Sequence, residues 1–365
     1  MLRDEYFMKM AIGLAARGGD RTYPNPMVGA VIVRGGKVIG AGYHRKAGED
    51  HAEIRALKNA KGPVRGASMY VSLEPCAHYG KTPPCVDTII SSGIKKVYYA
   101  MVDPNPITRG KGTMALKDAG IFVVPGICSP EALDLNRKYI KFITLKMPYV
   151  TVKLAETLDG KIAASDGSSK WITSELSRDH ARRLRRKFSA VLIGANTALN
   201  DDPSLLAPGK DTGYTMRVVV DTKLRLPETS RLIKTSREAP LLVATTELGD
   251  KKKAARLERM PGVEIMVFKS VKGGVPLAKL LSRLAGKGLV SVMVEGGGEI
   301  VGSLLAEKLV DEWIFFISPK ILGGAMSSIK GPGVKNIRDA VTLSDVKRYF
   351  IGEDMVIRGR TCSRG

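Results

Sequence analysis

Two α/β domains are the fold class this sequence predicts, and three observations predict it. At 365 residues the chain exceeds one ordinary hydrophobic core and suits two units of roughly 150 to 200 residues each. Short apolar runs alternate with stretches of helical periodicity throughout. His44, His51, His78, Cys76 and Cys85 all fall within residues 44–85, although the whole chain has only four His and four Cys, which marks a chemical centre in the first half.

Residues 4–17 read as a helix because Met8, Ile12 and Ala15, like Phe7, Ala11 and Leu14, recur at i+3 and i+4 on one face that should cover a sheet. V-G-A-V-I-V (28–33) is an apolar strand, Gly35-Gly36 a tight hairpin turn and 37–43 the returning strand. His51 opens a short helix, and 68–73 is a buried strand that ends at the Cys76 loop. Pro83-Pro84 stiffen the approach to Cys85, which opens the next helix, where unpaired backbone N–H groups favour a thiolate. A strand at 96–102, a helix at 111–119, a strand at 121–124 and a helix at 131–145 complete a three-layer unit. Met147-Pro148 ends that last helix, so the boundary is placed at about 146, giving domains of 1–146 and 147–365.

The second half predicts strands near 149–154, 189–194, 217–221, 240–245, 263–267, 290–294 and 312–317, with helices near 175–187, 276–285 and 299–308. Gly273-Gly274 and Gly323-Gly324 read as loops, and a terminal hairpin occupies the last ~20 residues. No internal repeat or low-complexity segment stands out.

One His and two Cys that converge supply three ligands to Zn²⁺ and leave the fourth tetrahedral position to water, whose pKa then falls to about 7. His51, Cys76 and Cys85 are that set, and Glu53 is the base beside them. Residues i and i+2 point about 200° apart on a regular helix, so both can face one cleft only if His51 sits at the first turn. H-x-E with P-C-x-x-C is the zinc nucleobase deaminase pattern. Here eight residues, not two, separate Cys76 from Cys85. The competing readings are a Cys76–Cys85 disulfide, which the absence of a signal peptide disfavours, and a structural zinc closed by His78 or His44, which would leave Glu53 idle.

With P-N-P-M-V-G-A-V-I-V (24–33), L-E-P-C-A-H-Y-G-K-T-P-P-C (73–85) and D-P-N-P (103–106), the pattern resembles the riboflavin-biosynthesis deaminase/reductase family. K-L-A-E-T-L-D-G-K-I-A (153–163), W-I-T-S (171–174) and V-E-G-G-G (294–298) resemble its reductase half, so the resemblance covers nearly the whole chain. It implies a cytidine-deaminase-like three-layer domain followed by a dihydrofolate-reductase-like α/β domain, with Zn²⁺ and NADPH as cofactors. The implied reactions are hydrolytic deamination of a diaminopyrimidinone ribosylamino phosphate and NADPH-dependent reduction of its ribosyl group to ribityl. On this pattern Asn25, His44, His78, Lys81 and Asp103 hold the deaminase substrate, each with a loop hydrogen bond as its alternative.

In the reductase half, V-S-V-M-V-E-G-G-G-E-I (290–300) runs a strand into glycines and a helix, which exposes backbone N–H groups to phosphate; it lacks G-x-G-x-x-G, and a plain tight turn would also explain it. The resemblance assigns NADPH contacts to Ala155, Trp171, Thr197, Asp201, Thr222 and the run Gly297, Gly298, Glu299, Ile300, Val301, Gly302 and Ser303. It assigns substrate contacts to Lys153, Ser169, Arg185, Leu205 and Glu295. An Arg within 178–187 can fork onto a phosphate, and Trp171 is either a stacking platform or a core aromatic. After D-D-P-S-L (201–205) the family usually shows a polar residue and then Arg, whereas this chain reads L-A-P-G-K, so one phosphate contact is missing or moved to Lys210.

The net charge of +22 favours phosphorylated or polyanionic partners without choosing between them. R-D-H-A-R-R-L-R-R-K (178–187) could be a nucleic-acid stripe or a solvated helix face. No run approaches the ~20 apolar residues of a membrane span. The reading is therefore a cytoplasmic enzyme with a phosphorylated pyrimidine substrate and no nucleic-acid or membrane partner; a homo-oligomer is allowed. Its rivals are a tRNA or nucleoside deaminase, which leaves the second domain unexplained, and an RNA-binding protein with a structural zinc.

Overall fold

The computed structural model describes residues 2–78, 83–209, 215–324 and 326–362. The chain divides into two compact units, Met1–Met147 and Pro148–Gly365. Among the described residues no helix is long and apolar enough to cross a membrane.

The first unit runs α1 (Leu2–Ala16), β1 (Gly29–Arg34), β2 (Lys37–Tyr43), α2 (Ala52–Lys58), β3 (Ser68–Leu73), α3 (Cys85–Ser91), β4 (Lys96–Met101), α4 (Lys111–Asp118), β5 (Phe122–Pro125), α5 (Ser129–Leu135) and α6 (Arg137–Leu145). Its five strands lie in the order β2-β1-β3-β4-β5, antiparallel among β2, β1 and β3 and parallel from β3 to β5. β1 and β3 are buried on both faces, as a strand between two helical layers must be. Gly40 and Gly42 let α2 lie directly on β2: a Cβ at either would come within 2.7 Å of the α2 backbone, so the helix that carries Glu53 is held at minimum distance from the sheet.

The helix expected over 131–145 is in fact two, α5 and α6, broken at Asn136. The side chain of that residue, only 1% exposed, accepts from Met27 N and donates to Met27 O at 2.8 and 3.0 Å. Satisfying two backbone groups 109 residues away outweighs one continuous helix.

The second unit runs β6 (Tyr149–Thr157), α7 (Glu175–Leu184), β7 (Ala190–Gly194), α8 (Ala195–Asp201), β8 (Met216–Val220), α9 (Arg231–Lys234), β9 (Leu241–Thr246), α10 (Lys251–Glu258), β10 (Val263–Phe268), α11 (Leu277–Gly286), β11 (Ser291–Glu295), α12 (Gly298–Ala306), β12 (Glu312–Ser318), β13 (Leu343–Ile351) and β14 (Asp354–Thr361). The sheet order is β10-β9-β8-β7-β11-β6-β12-β14-β13, parallel through β12 and antiparallel beyond it. From β7 the chain moves outward to β10, then returns to insert β11 between β7 and β6. The direction of winding thus reverses beside β7, β11 and β6, and a crevice opens outside the carboxyl ends of parallel strands at such a point.

Three short helices, α8, α9 and α10, were not expected from periodicity. The signal for α10 is its cap: Asp250 accepts from Lys252 N and Lys253 N at 2.8 and 3.2 Å, in front of a lysine run with little apolar pattern. The helix expected over 175–187 ends at Leu184 and tightens into a 3-10 turn over Arg185–Lys187.

Candidate active sites

His51 is the N-cap of α2 with extended backbone (φ −69°, ψ 164°), so its side chain leaves the helical screw and can share a cleft with Glu53. Cys85 is the first residue of α3, and Cys76 lies in the loop after β3. Their ligand atoms lie within 4.8 Å of one another. His51 Nδ1 is 3.2 Å from Cys85 Sγ and 3.5 Å from Cys76 Sγ. Bonds of about 2.0 Å to nitrogen and 2.3 Å to sulfur at the tetrahedral angle put N and S about 3.5 Å apart, so this donor set fits a zinc ion.

The charge state fits as well. The hydrogen bond from Cys85, aided by His51, holds the Cys76 thiol down at about 4 against the effect of burial. Cys85 is pushed up, by that same hydrogen bond and by burial. The pair thus holds one thiolate and one proton that a cation would displace. Glu53, 3% exposed, is pushed up to about 7 by burial and then by Cys76, while His51 and Cys85 act in the other direction.

Beside this cluster, His44 is buried and its ring stands edge-on to His51 with centroids 5.3 Å apart. A carbonyl can only accept, so His44 Nδ1 donates to Asp50 O (3.2 Å) and Nε2 accepts from Asn25 Nδ2 (3.2 Å), a neutral tautomer that agrees with the downward shift burial gives this imidazole. Sequence reasoning passed over Glu74, the buried E of L-E-P-C. Its carboxylate accepts from Gly110 N, Thr113 N and Thr113 Oγ1 at 3.1, 2.9 and 2.9 Å, tying the start of α4 to the strand end that carries Cys76. An acidic residue closing an apolar strand was the available signal.

In the second unit, the crevice at the winding reversal is a cleft of about 1540 Å³. Its lining includes Lys153, Ala155, Ser169, Trp171, Arg185, Thr197, Asp201, Leu205, Thr222, Glu295, Gly297, Gly298, Glu299, Ile300 and Ser303. Gly296 and Gly297 sit at φ +73° and +82°, and a Cβ on Gly297 would lie 3.3 Å from Thr197 Oγ1, so the turn before α12 leaves a cradle that a side chain would fill. Glycine-lined N–H groups at a helix start suit a dinucleotide phosphate.

At the base of the cleft Glu295 pairs in register with Lys153 across β11 and β6, and Arg185 forks onto it at 2.6 and 2.8 Å. Burial pushes Glu295 up, but Arg185 and Lys153 outweigh it and the carboxylate ends below its ordinary range. Burial also draws Lys153 down, against Glu295.

Residues 148–357 match the RibD C-terminal domain family, and residues 1–101 match the cytidine and deoxycytidylate deaminase zinc-binding region. The riboflavin biosynthesis protein RibD of Aquifex aeolicus (strain VF5) is 43% identical over 355 residues, 97% of either chain. The chain belongs to the RibD family. Among solved structures, Acinetobacter baumannii RibD superposes with a TM-score of 0.87 at 34% identity, covering 99% of both chains. A diaminohydroxyphosphoribosylaminopyrimidine deaminase/5-amino-6-(5-phosphoribosylamino)uracil reductase from Thermotoga maritima gives 0.85 at 36% identity, again over 99% of both.

Several of the expected contact residues are engaged within the protein itself. The Asp103 carboxylate accepts from Thr108 Oγ1 and Asn105 N of its own loop and from Tyr139 Oη of α6, at 2.5, 3.0 and 3.2 Å. His78 is exposed, while Lys81 and Lys210 lie outside the described residues. Val301 is fully buried with its N–H bonded to Gly297 O, and a Cβ on Gly302 would fall 1.5 Å from Lys330 O, so both face away from the cleft. Leu205 buries its side chain at φ +54° and can offer a ligand only its backbone. Arg185 is paired with Glu295 and Leu206 O rather than standing free for a phosphate. Trp171 is 61% exposed, which removes the core-aromatic alternative; the Arg178 guanidinium lies 4.3 Å over its ring.

Proposed function

We propose that the chain is a bifunctional enzyme of riboflavin synthesis: its first unit deaminates a diaminopyrimidinone ribosylamino phosphate, and its second reduces the ribosyl group of the product to ribityl. The observation that carries the reading is the meeting of His51, Cys76 and Cys85 around one point beside a buried Glu53. Zinc held by those three side chains supplies an activated water. Glu53, buried beside them, takes up a proton at its carboxylate and returns it to the departing amino nitrogen. Asn25 lines the approach and hydrogen-bonds the ring, held in place by the neutral His44 that accepts from its amide nitrogen.

In the second unit NADPH supplies the hydride. The glycine turn and Thr197 hold its phosphates, and Trp171 offers an open ring face to a planar group. Lys153 and Glu295 orient the ribosyl chain from adjoining strands, with Arg185 fixing Glu295. The cleft is large enough for cofactor and substrate together. The four cysteines are free thiols, which supports a reducing cytoplasm.

The test combines metal content by mass with ammonia release from the phosphorylated pyrimidine, with and without NADPH. One zinc per chain, ammonia release without NADPH and NADPH oxidation only after deamination are expected. Equal ammonia release from metal-free protein would remove the first half of the reading. We further assign deamination to residues 1–146 and reduction to 147–365; a fragment beginning at Met147 should fold and bind NADPH without zinc.

A further inference from the structure

The terminal hairpin is tied to the wall of the cofactor cleft through a single buried carboxylate. β13 turns into β14 across Gly352 and Glu353, and Asp354, the first residue of β14, is 2% exposed. Its Oδ2 accepts from Ser174 N at 2.8 Å and Ser174 Oγ at 2.6 Å, across 180 residues of sequence. Ser174 caps α7 in turn, accepting from Ser177 N. The hairpin turn lies close against this cap, since a Cβ on Gly352 would sit 3.3 Å from Leu176 Cδ1 and 3.8 Å from Ser174 Oγ.

The first turn of α7 then sets the geometry of the cleft wall. Arg178 N donates to Ser174 O at 3.1 Å, and Arg178 Nη1 donates to Thr173 O at 2.7 Å. Those two bonds aim the guanidinium over Trp171, whose other face is open. The Trp171 carbonyl is held separately by Lys320 Nζ at 2.8 Å. Trp171 and Arg178 both line the cleft, whereas Asp354 does not. Among the described residues no cation pairs with the Asp354 carboxylate, so its hydrogen bonds to Ser174 are what compensate its burial.

We propose that Asp354 is a positioning residue of the reductase site: by fixing Ser174 it orients the Trp171–Arg178 stack against a flat ring of the nicotinamide cofactor. The inference rests on the NADPH reading of this cleft. It gives the terminal hairpin a part in ligand binding that its place at the sheet edge does not suggest.

The test is a double-mutant cycle in the full-length protein between Asp354→Ala and Trp171→Phe, read as NADPH KM and kcat for reduction and as energy transfer from tryptophan to bound NADPH. The calorimetric transition of the reductase unit serves as the folding control, and ammonia release shows that the first unit is untouched. Trp313 emits too and donates to Thr361 Oγ1 of the hairpin, so the transfer from Trp171 is read as the difference between the parent and Trp171→Phe. Asp354→Ala should raise the NADPH KM about tenfold with kcat within threefold, and weaken energy transfer. In the Trp171→Phe background the same substitution should change KM less than twofold, because sites in one network are not additive. Asp354→Asn, which keeps the acceptor oxygen, should restore KM to within threefold of the parent. An equal KM loss in both backgrounds, or an unchanged KM, would overturn the proposal. If Asp354→Ala does not accumulate as folded protein, Ser174→Ala replaces it in the same cycle with the same two outcomes. A parent protein that does not bind NADPH would instead sink the reading of the cleft.

Discussion

The two sites each contain a buried glutamate, and the two shift in opposite directions. Glu53 sits among thiols with little counter-charge; burial lifts it to about 7, where it can carry a proton. Glu295 is also largely withdrawn from water, its side chain 12% exposed, yet Arg185 and Lys153 hold it below its ordinary range. One residue type therefore becomes a proton carrier or a fixed anion according to its neighbours. The sites also differ in how they are assembled. The first takes its ligands from residues 51–85, the second from strand ends between Lys153 and Lys330.

The sharpest way to break this contrast is to remove a metal ligand. Cys85→Ser should abolish zinc retention and ammonia release together, while NADPH oxidation on the already deaminated substrate continues at the parent rate; loss of both activities would mean one shared site. Next in size, Glu53→Gln should keep its zinc and lose about 10²- to 10⁴-fold in deamination, the range of a general acid–base contribution. Deamination within tenfold of the parent would leave Glu53 without a role.

Arg185→Ala probes the opposite case. It leaves Glu295 buried without its fork, so the reductase unit should lose about 3–5 kcal/mol in urea unfolding, and NADPH oxidation should fall while ammonia release is retained. The smallest effect is one of pH. The folded pKa of Glu295 lies below its ordinary 4.5, so the stability it confers is fully present above 4.5 and is lost as pH falls through the folded value. The reductase transition in calorimetry should therefore drop on acidification below that pH, and Arg185→Ala should flatten the slope; an unchanged slope would separate the ion pair from the titration.

The same contrast explains what could be read without coordinates. His51, Glu53, Cys76 and Cys85 were legible because a soft-donor set within a short span has few other chemical uses; His51 was expected at the first turn of a helix and stands just before it, as the N-cap of α2. The alternation of strands and helices was legible from periodicity. The Arg185–Glu295 fork was not, since the partners are 110 residues apart and meet only because β11 inserts beside β6 and β7. Of the continuous run carried onto α12, Val301 and Gly302 do not line the cleft, since a helix turns only one face to it. The hydrogen bonds that Asp103 makes to Asn105, Thr108 and Tyr139 were not legible either, because residue type alone does not reveal which groups a carboxylate will meet.

The strand order of the second unit has a consequence for how the protein is made. β6 is the first strand of that unit, yet its neighbours are β11 and β12, and Ser291 follows Thr157 by 134 residues. At a synthesis rate of about 5 to 20 residues per second, a nascent chain holds the apolar segment Tyr149–Thr157 without either partner for roughly 7 to 27 s. The first unit has no such wait, since β1 pairs with β2 across a short hairpin and with β3 soon after. The ribosome-bound chain thus carries a finished N-terminal domain ahead of an unpaired strand, and that strand is the segment a chaperone would be expected to cover.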